Sequence, residues 1–206
     1  MKIGITGPSG TGKTTLAKYI IETFPNYVYI DSKLSRDFPD ELKNRWLHEY
    51  GYEYNPTRGH NGLIDYQQKY PQFGLEWQMA VVELRNNLYP KYNDLVVDRT
   101  QLDALVYMTT QVSRFADDKY IKKFISKVND GLSNFDLIIY LGTDEMEDVE
   151  DNHLRVSNIF YQNFINDTFC NCVERYIKPE ITKRIITLPR DLNQRFTVIT
   201  ELIKQN

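Results

Sequence analysis

Eight residues near the amino terminus, Gly7-Pro8-Ser9-Gly10-Thr11-Gly12-Lys13-Thr14, fit the spacing G-x-x-x-x-G-K-[ST] without a gap. Glycines let the backbone curl until successive N–H groups converge on one anion, and a following helix turns its positive dipole end toward it. Lysine and threonine at the end of the run suit the terminal phosphates of a nucleoside triphosphate and a Mg²⁺ ion that keeps most of its waters. Gly7, Ser9, Gly10, Thr11, Gly12, Lys13, Thr14 and Thr15 are therefore the candidate nucleotide-binding residues, with Lys13 also catalytic and Thr14 a metal ligand. A plain glycine turn with a solvated lysine is the competing reading. Both flanks oppose it, because an apolar run precedes the turn and Thr15-Leu16-Ala17-Lys18-Tyr19-Ile20-Ile21 has a helical pattern after it.

A second group stands far along the chain. Leu95-Val96-Val97-Asp98 is a β-rich apolar run ending in an acid, the form of a buried parallel strand that presents a carboxylate at its edge. Such an aspartate can hold Mg²⁺ or accept a proton from an attacking hydroxyl. Arg99 follows it and is placed to stabilise charge on a transferring phosphoryl group. Thr100-Gln101-Leu102-Asp103 has capping-box spacing, which makes Asp103 the start of a helix rather than a reacting group. Asp31, at the end of Tyr27-Val28-Tyr29-Ile30, is a further candidate base or metal-water ligand, with a helix-cap role as its alternative.

Candidates for an acceptor site are Trp77, Gln78 and Arg85. Gln78 and Arg85 are seven apart on an expected helix over Leu75–Tyr89 and so share a side. There they can read a nucleobase edge and a phosphate or sugar, or serve as ordinary surface polarity. Gly51 to Gly74, broken by Gly and Pro and rich in aromatics, reads as an irregular acceptor-binding or lid segment carrying Arg58 and His60. Asp144 to Asp151 holds six acids in eight residues and reads as a solvated face, leaving Arg155 as the nearest lid arginine. The histidines, His48, His60 and His153, have no metal-ligand spacing.

The elements that must hold these groups alternate strand and helix. Further strands are expected over Phe135–Gly142 and Arg184–Pro189, and helices over Asp40–Tyr50, Lys119–Val128, Ile159–Ile177 and Asp191–Lys204. A chain of 206 residues with 41% hydrophobic and 26% charged residues suits one domain, 1–206, with an insertion over 40–80. The net charge of −3 gives no basic field, so neither nucleic acid nor an anionic membrane surface is favoured as a partner, and no membrane partner is expected. No apolar run is long enough to span a bilayer, and the first strand begins where a leader would stand, so a cytoplasmic protein is expected. Cys170 and Cys172, with no histidine near, indicate neither zinc nor a disulfide framework.

The loop Gly7–Thr14, the run Val97-Asp98-Arg99-Thr100-Gln101-Leu102-Asp103-Ala104-Leu105-Val106-Tyr107, Gln78 with Arg85, and Leu188-Pro189 with Arg195 resemble the P-loop small-molecule kinases. The chain is most similar to the branch labelled AAA-type ATPase or kinase, found in many phage genomes and including the nicotinamide riboside kinase domain of NAD-metabolism regulators. Deoxynucleoside kinases have a similar layout, with Glu-Arg-Ser where Asp98-Arg99-Thr100 stand. The resemblance implies a P-loop NTPase fold, three α/β/α layers around a parallel sheet of about five strands, with a helical or loop insertion for the acceptor. It also implies ATP and Mg²⁺, Asp98 as activating carboxylate or metal partner, Arg99 on phosphate, Gln78 on a base, and a nucleoside or nucleotide acceptor. The acidic run replaces the arginine-rich lid of the relatives. Two rival readings are a kinase acting on a modified base in DNA, disfavoured by the pI near 5.7, and an NTP-driven switch acting on a protein partner.

Overall fold

The computed structural model describes residues 1–31, 37–53, 60–143 and 158–205. Strand β1 (Lys2–Thr6) runs into the glycine loop and helix α1 (Lys13–Thr23), and β2 (Val28–Ile30) follows. Three helices come next, α2 (Asp40–Tyr50), α3 (His60–Lys69) and α4 (Pro71–Leu88). Then β3 (Leu95–Asp98) leads to α5 (Gln101–Gln111) and α6 (Asp118–Leu132), and β4 (Leu137–Tyr140) precedes α7 (Ile159–Tyr176). The one-turn α8 (Pro179–Thr182), β5 (Ile185–Thr187) and α9 (Leu192–Lys204) complete the described chain.

The strands form one five-stranded sheet in the order β2-β3-β1-β4-β5. Every pairing is parallel, with Ile3 opposite Val96 and Leu137, and Ile30 opposite Val97. Parallel strands must be covered on both faces, and their side chains alternate between two cores. Ile3, Ile5, Val96 and Ile139 pack against Leu16 and Ile20 of α1 and Ile199 and Ile203 of α9. Leu95, Val97 and Ile138 face the other way, onto Val82 of α4, Leu102 and Leu105 of α5, Phe124 of α6 and Phe169 of α7. Each such fully buried aliphatic contributes roughly 1.5–3 kcal/mol over exposure. The result is the expected α/β/α sandwich, with β1 central and the carboxyl ends of all five strands on one edge.

A third core differs from expectation. The stretch from Gly51 to Gly74 reads as irregular, yet α3 and the start of α4 occupy its second half. Pro71 sits in the first turn of α4, where its missing N–H costs nothing. Gly74 lies within α4 where the helix passes close to its neighbours, which leaves no room for a side chain: a Cβ there would lie 2.6 Å from Val112 Cγ1 and 3.1 Å from Gln67 Cβ. The aromatics of this region are largely packing. Phe38, Trp46, Tyr52, Phe73 and Trp77 are buried together, with Tyr50, Tyr66 and Tyr70 against them. Edge-to-face contacts dominate, such as Phe38 on Trp77 at 4.9 Å and Trp46 on Phe73 at 5.3 Å. Glu76 ties α4 to α2 by accepting from Trp46 Nε1 at 3.0 Å and Tyr50 at 3.1 Å.

Among the described residues no helix is long and apolar enough to cross a membrane. Neither cysteine is disulfide-bonded, Cys172 being buried and Cys170 exposed.

Candidate active site

The glycine loop leaves β1 at the sheet's carboxyl edge, between β3 and β4, where the chain direction across the sheet reverses. Its glycines are used. Gly7 has φ 139° and Gly12 has φ 87°, backbone states that L side chains rarely adopt. A Cβ on Gly7 would also strike the Leu141 carbonyl oxygen, so the loop lies directly on the end of β4. Within the loop, Thr11 Oγ1 donates to the Pro8 carbonyl at 3.0 Å. Buried Lys13 folds over the same turn, its Nζ donating to Pro8 O and lying 3.4 Å from Thr11 Oγ1. α1 begins at Lys13 with no acidic residue in its first turn, which leaves its dipole free to attract an anion.

The end of β3 meets this loop. Thr14 Oγ1 donates to Asp98 Oδ2 at 2.5 Å. Asp98 is 3% exposed, and its other oxygen, Oδ1, is buried without a hydrogen-bond partner. A buried carboxylate oxygen without a donor is costly unless a cation or donor meets it. One carboxylate beside one hydroxyl is a hard oxygen set of the kind Mg²⁺ takes together with phosphate and water, so these residues fit that ion. Among the described residues no group of three or more His, Cys, Asp and Glu is arranged to hold a metal.

Arg99 stands at φ 84°, a strained state for a residue with a side chain. That turn aims its guanidinium back over the loop: Nη1 reaches Asp103 at 2.9 Å and Tyr107 Oη at 3.4 Å, and Nη2 reaches Ser9 Oγ at 3.3 Å. The strain is held by neighbours, since Tyr89 donates to the Arg99 carbonyl at 3.2 Å and Arg85 Nη1 donates to the Thr100 carbonyl. Thr100 and Asp103 form the expected capping box at the start of α5. Asp103 does more than cap. It also accepts from Thr6 Oγ1 at 2.7 Å, joining β1, β3 and Arg99 at one carboxylate.

Asp31 follows Ile30 and Asp98 follows Val97, its partner in the register, so the two aspartates stand at corresponding positions at adjoining strand ends. Both carboxylates act on Tyr29, whose phenol is pushed up to about 12 by burial first and then by Asp98 and Asp31. Gln78 and Arg85 share the buried side of α4, where Gln78 Nε2 donates to Gln67 Oε1 at 3.1 Å. Trp77 lies beside them in the aromatic core. Arg58, Arg155 and the acidic run lie outside the described residues.

Behind the loop, a cleft of about 460 Å³ is lined by Gly10, Thr11, Gly12, Thr15, Leu188, Arg190 and Arg195, with Gly142, Thr187 and Leu192 completing it from the ends of β4 and β5 and the start of α9. Buried Arg195 donates through Nη1 to the Thr11 carbonyl at 2.7 Å. Gln67 carries no local chemical signature in the sequence, and capping-box spacing says nothing of the contacts of Asp103 with Thr6 and Arg99, because these contacts join separate segments.

Comparison with known proteins agrees with this architecture. A family model described as an AAA domain matches residues 2–184. No curated protein sequence matches the chain. Among solved structures, deoxyadenosine kinase from M. mycoides with bound dATP superposes with a TM-score of 0.59 at 16% identity, covering 99% of both chains. Thymidylate kinase from Candida albicans gives 0.58 at 15% identity over 99% of this chain and 91% of its own. NadR in complex with NR gives 0.58 at 9% identity over 98% of this chain and 50% of its own. The fold is thus that of the P-loop nucleoside and nucleotide kinases, and the chain belongs to the AAA domain family whose model spans residues 2–184.

Proposed function

We propose that the chain is an ATP-dependent kinase that moves the γ-phosphoryl group to a hydroxyl or phosphate of a nucleoside-like small molecule. The observation that carries this reading is the meeting of Thr14, Asp98 and Arg99 at the glycine loop, with Asp98 2.5 Å from Thr14 and Arg99 3.3 Å from Ser9. A nucleotide-binding loop alone serves switches and motors equally. A carboxylate and an arginine converging on it from the next strand provide what phosphoryl transfer needs, which is positioning and charge neutralisation.

In this mechanism the N–H groups of Gly10 to Thr15 cradle the donor phosphates, and Lys13 swings from Pro8 to the terminal oxygens. Thr14 and Asp98 would hold Mg²⁺, which would supply neutralisation of the donor's phosphate charge. Arg99 faces the charge on the transferring group. Asp98 or Asp31 takes the proton as the acceptor oxygen attacks phosphorus and the bond to the β–γ bridging oxygen breaks. The cleft of about 460 Å³ beside Thr15 and Arg190 receives the nucleoside end of the donor. Residues 40–80 form the acceptor-side insertion of a single kinase domain, and Gln78 and Trp77 within it, with Arg85 further along α4, shape the acceptor site. The likeness to kinases named for deoxyadenosine and thymidylate, and to a structure holding NR, supports a nucleoside or nucleotide acceptor.

An acceptor screen tests this. ATP consumption is followed with nucleosides, nucleotides and DNA, and the product is identified by its mass gain of one phosphoryl group. The expected result is a phosphorylated small molecule, lost in Lys13→Ala with the fold intact. Near wild-type transfer by that variant, or ATP hydrolysis with no phosphorylated acceptor, would sink the proposal.

A further inference from the structure

Arg195 is buried, yet among the described residues its bonds go to carbonyl oxygens alone: Nη1 to Thr11 at 2.7 Å and Nε to Pro189. Among the described residues no carboxylate forms an ion pair with it. Burial, and then the charge of Arg190, hold its pKa below the usual arginine value. A buried cation without an acid partner is expensive to maintain, and here it lies against the loop that would bind a polyanion.

The Thr11 carbonyl belongs to the same peptide unit as the Gly12 N–H. A trans peptide is planar, so its C=O and N–H point in opposite directions. Drawing the Thr11 oxygen toward Arg195 therefore turns the Gly12 N–H toward the opposite, phosphate-facing side. The fit is close: a Cβ on Gly12 would lie 3.1 Å from Arg195 Nη1, so the guanidinium rests against that glycine. At the other end of the loop, Gly7 lies on the Leu141 carbonyl. Both ends of the loop are thus fixed, one by β4 and one by α9.

We infer that Arg195 is a positioning residue for the donor nucleotide, locking the Thr11–Gly12 peptide in its phosphate-binding orientation and adding a buried positive charge behind it. The inference rests on the kinase reading and deepens it, because it gives the last helix of the chain a part in donor binding. Lysine cannot replace arginine here, since a single ammonium cannot reach the Thr11 and Pro189 carbonyls with the geometry of a planar fork.

Wild type, Arg195→Lys and Arg195→Met are compared as full chains. Affinity for Mg·ATP is measured by calorimetry, and the KM for donor and for acceptor by steady-state kinetics. Loss of a buried charge-assisted hydrogen bond predicts roughly ten- to a hundredfold weaker Mg·ATP binding in both variants. The donor KM rises in step, while acceptor KM and kcat at saturating donor stay near wild type. A purely structural role would lower the melting temperature without this split. The Gly12 amide resonance of the nucleotide-free protein is expected to shift and broaden in both variants. If Arg195→Met fails to fold, Arg195→Lys carries the same criteria. Wild-type donor affinity and an unmoved Gly12 resonance in a folded variant overturn the inference and leave the kinase reading standing. Absence of Mg·ATP binding by the wild type overturns that reading itself.

Discussion

The hydroxyl of Thr14 donates to Asp98 over 2.5 Å, although 84 residues separate them. The contact joins the first turn of α1 to the end of β3 and leaves Asp98 Oδ1 buried with no partner. If Asp98 works through its charge, Asp98→Asn keeps the shape and the Thr14 contact while removing what the reaction needs. Turnover is expected to fall about 10²-fold or more, with little change in melting temperature. Thr14→Ala is expected to raise the Mg²⁺ concentration needed for half-maximal rate. Kinetics over a Mg²⁺ titration check both, and an unchanged rate in Asp98→Asn removes the carboxylate from the mechanism.

Arg99 allows activity and stability to be separated. Its left-handed backbone stores strain of roughly 1–3 kcal/mol, and its ion pair with buried Asp103 at 2.9 Å contributes in the opposite direction by a similar amount. Arg99→Gly removes both. The remaining donors to Asp103, Thr6 Oγ1 and the Thr100 N–H, stay in place. Urea unfolding is therefore expected to change by no more than about 1 kcal/mol, while phosphoryl transfer falls about 10²–10³-fold. A large loss of stability would show that the ion pair outweighs the strain.

The parts legible in the sequence are those set by local pattern. The loop Gly7–Thr14, the apolar runs of β1, β3 and β4, and the capping box at Thr100 and Asp103 depend on neighbours a few residues away. What stayed hidden depends on packing between distant segments. Arg195 stands in the sequence as part of the resemblance with Leu188-Pro189, but only the fold brings it to Thr11. Pro71 and Gly74 read as breakers, but one sits where a helix accepts proline and the other where three helices crowd together. The aromatics between Gly51 and Gly74 read as part of an acceptor-binding segment because such rings serve binding and packing alike; their use as core follows from Phe38, Trp46 and Phe73 arriving from separate elements.

Trp77 decides how far the aromatic core and the acceptor site overlap. Its ring meets Phe38 at 4.9 Å, Trp46 at 5.3 Å, Tyr52 at 5.6 Å and Phe73 at 5.7 Å. Trp77→Phe keeps an aromatic but leaves a void, costing roughly 1–2 kcal/mol in denaturant unfolding. With packing as its main task, acceptor KM stays at the wild-type value. A raised acceptor KM in a variant of unchanged stability would instead put the indole against the substrate.

Alkaline pH probes the tyrosines nearest the site. Tyr29, Tyr89 and Tyr161 are each pushed up from 10.0 to about 12, in every case chiefly by burial. Asp98 and Asp31 add to the effect at Tyr29 and Tyr107 at Tyr161, while Arg85 opposes it at Tyr89. The folded protein thus holds these protons more tightly than the unfolded chain does. Well below pH 10 both states are protonated and stability does not depend on them. Between pH 10 and 12 the unfolded chain releases protons that the folded protein keeps, so unfolding becomes progressively easier. Urea midpoints at pH 8, 10 and 11 are expected to fall slightly over the first step and steeply over the last, with tyrosinate absorbance appearing together with unfolding. Equal midpoints at pH 8 and 11, with tyrosinate formed in the folded protein, would mean that these phenols are open to water and that the packing around Asp98 is looser than described.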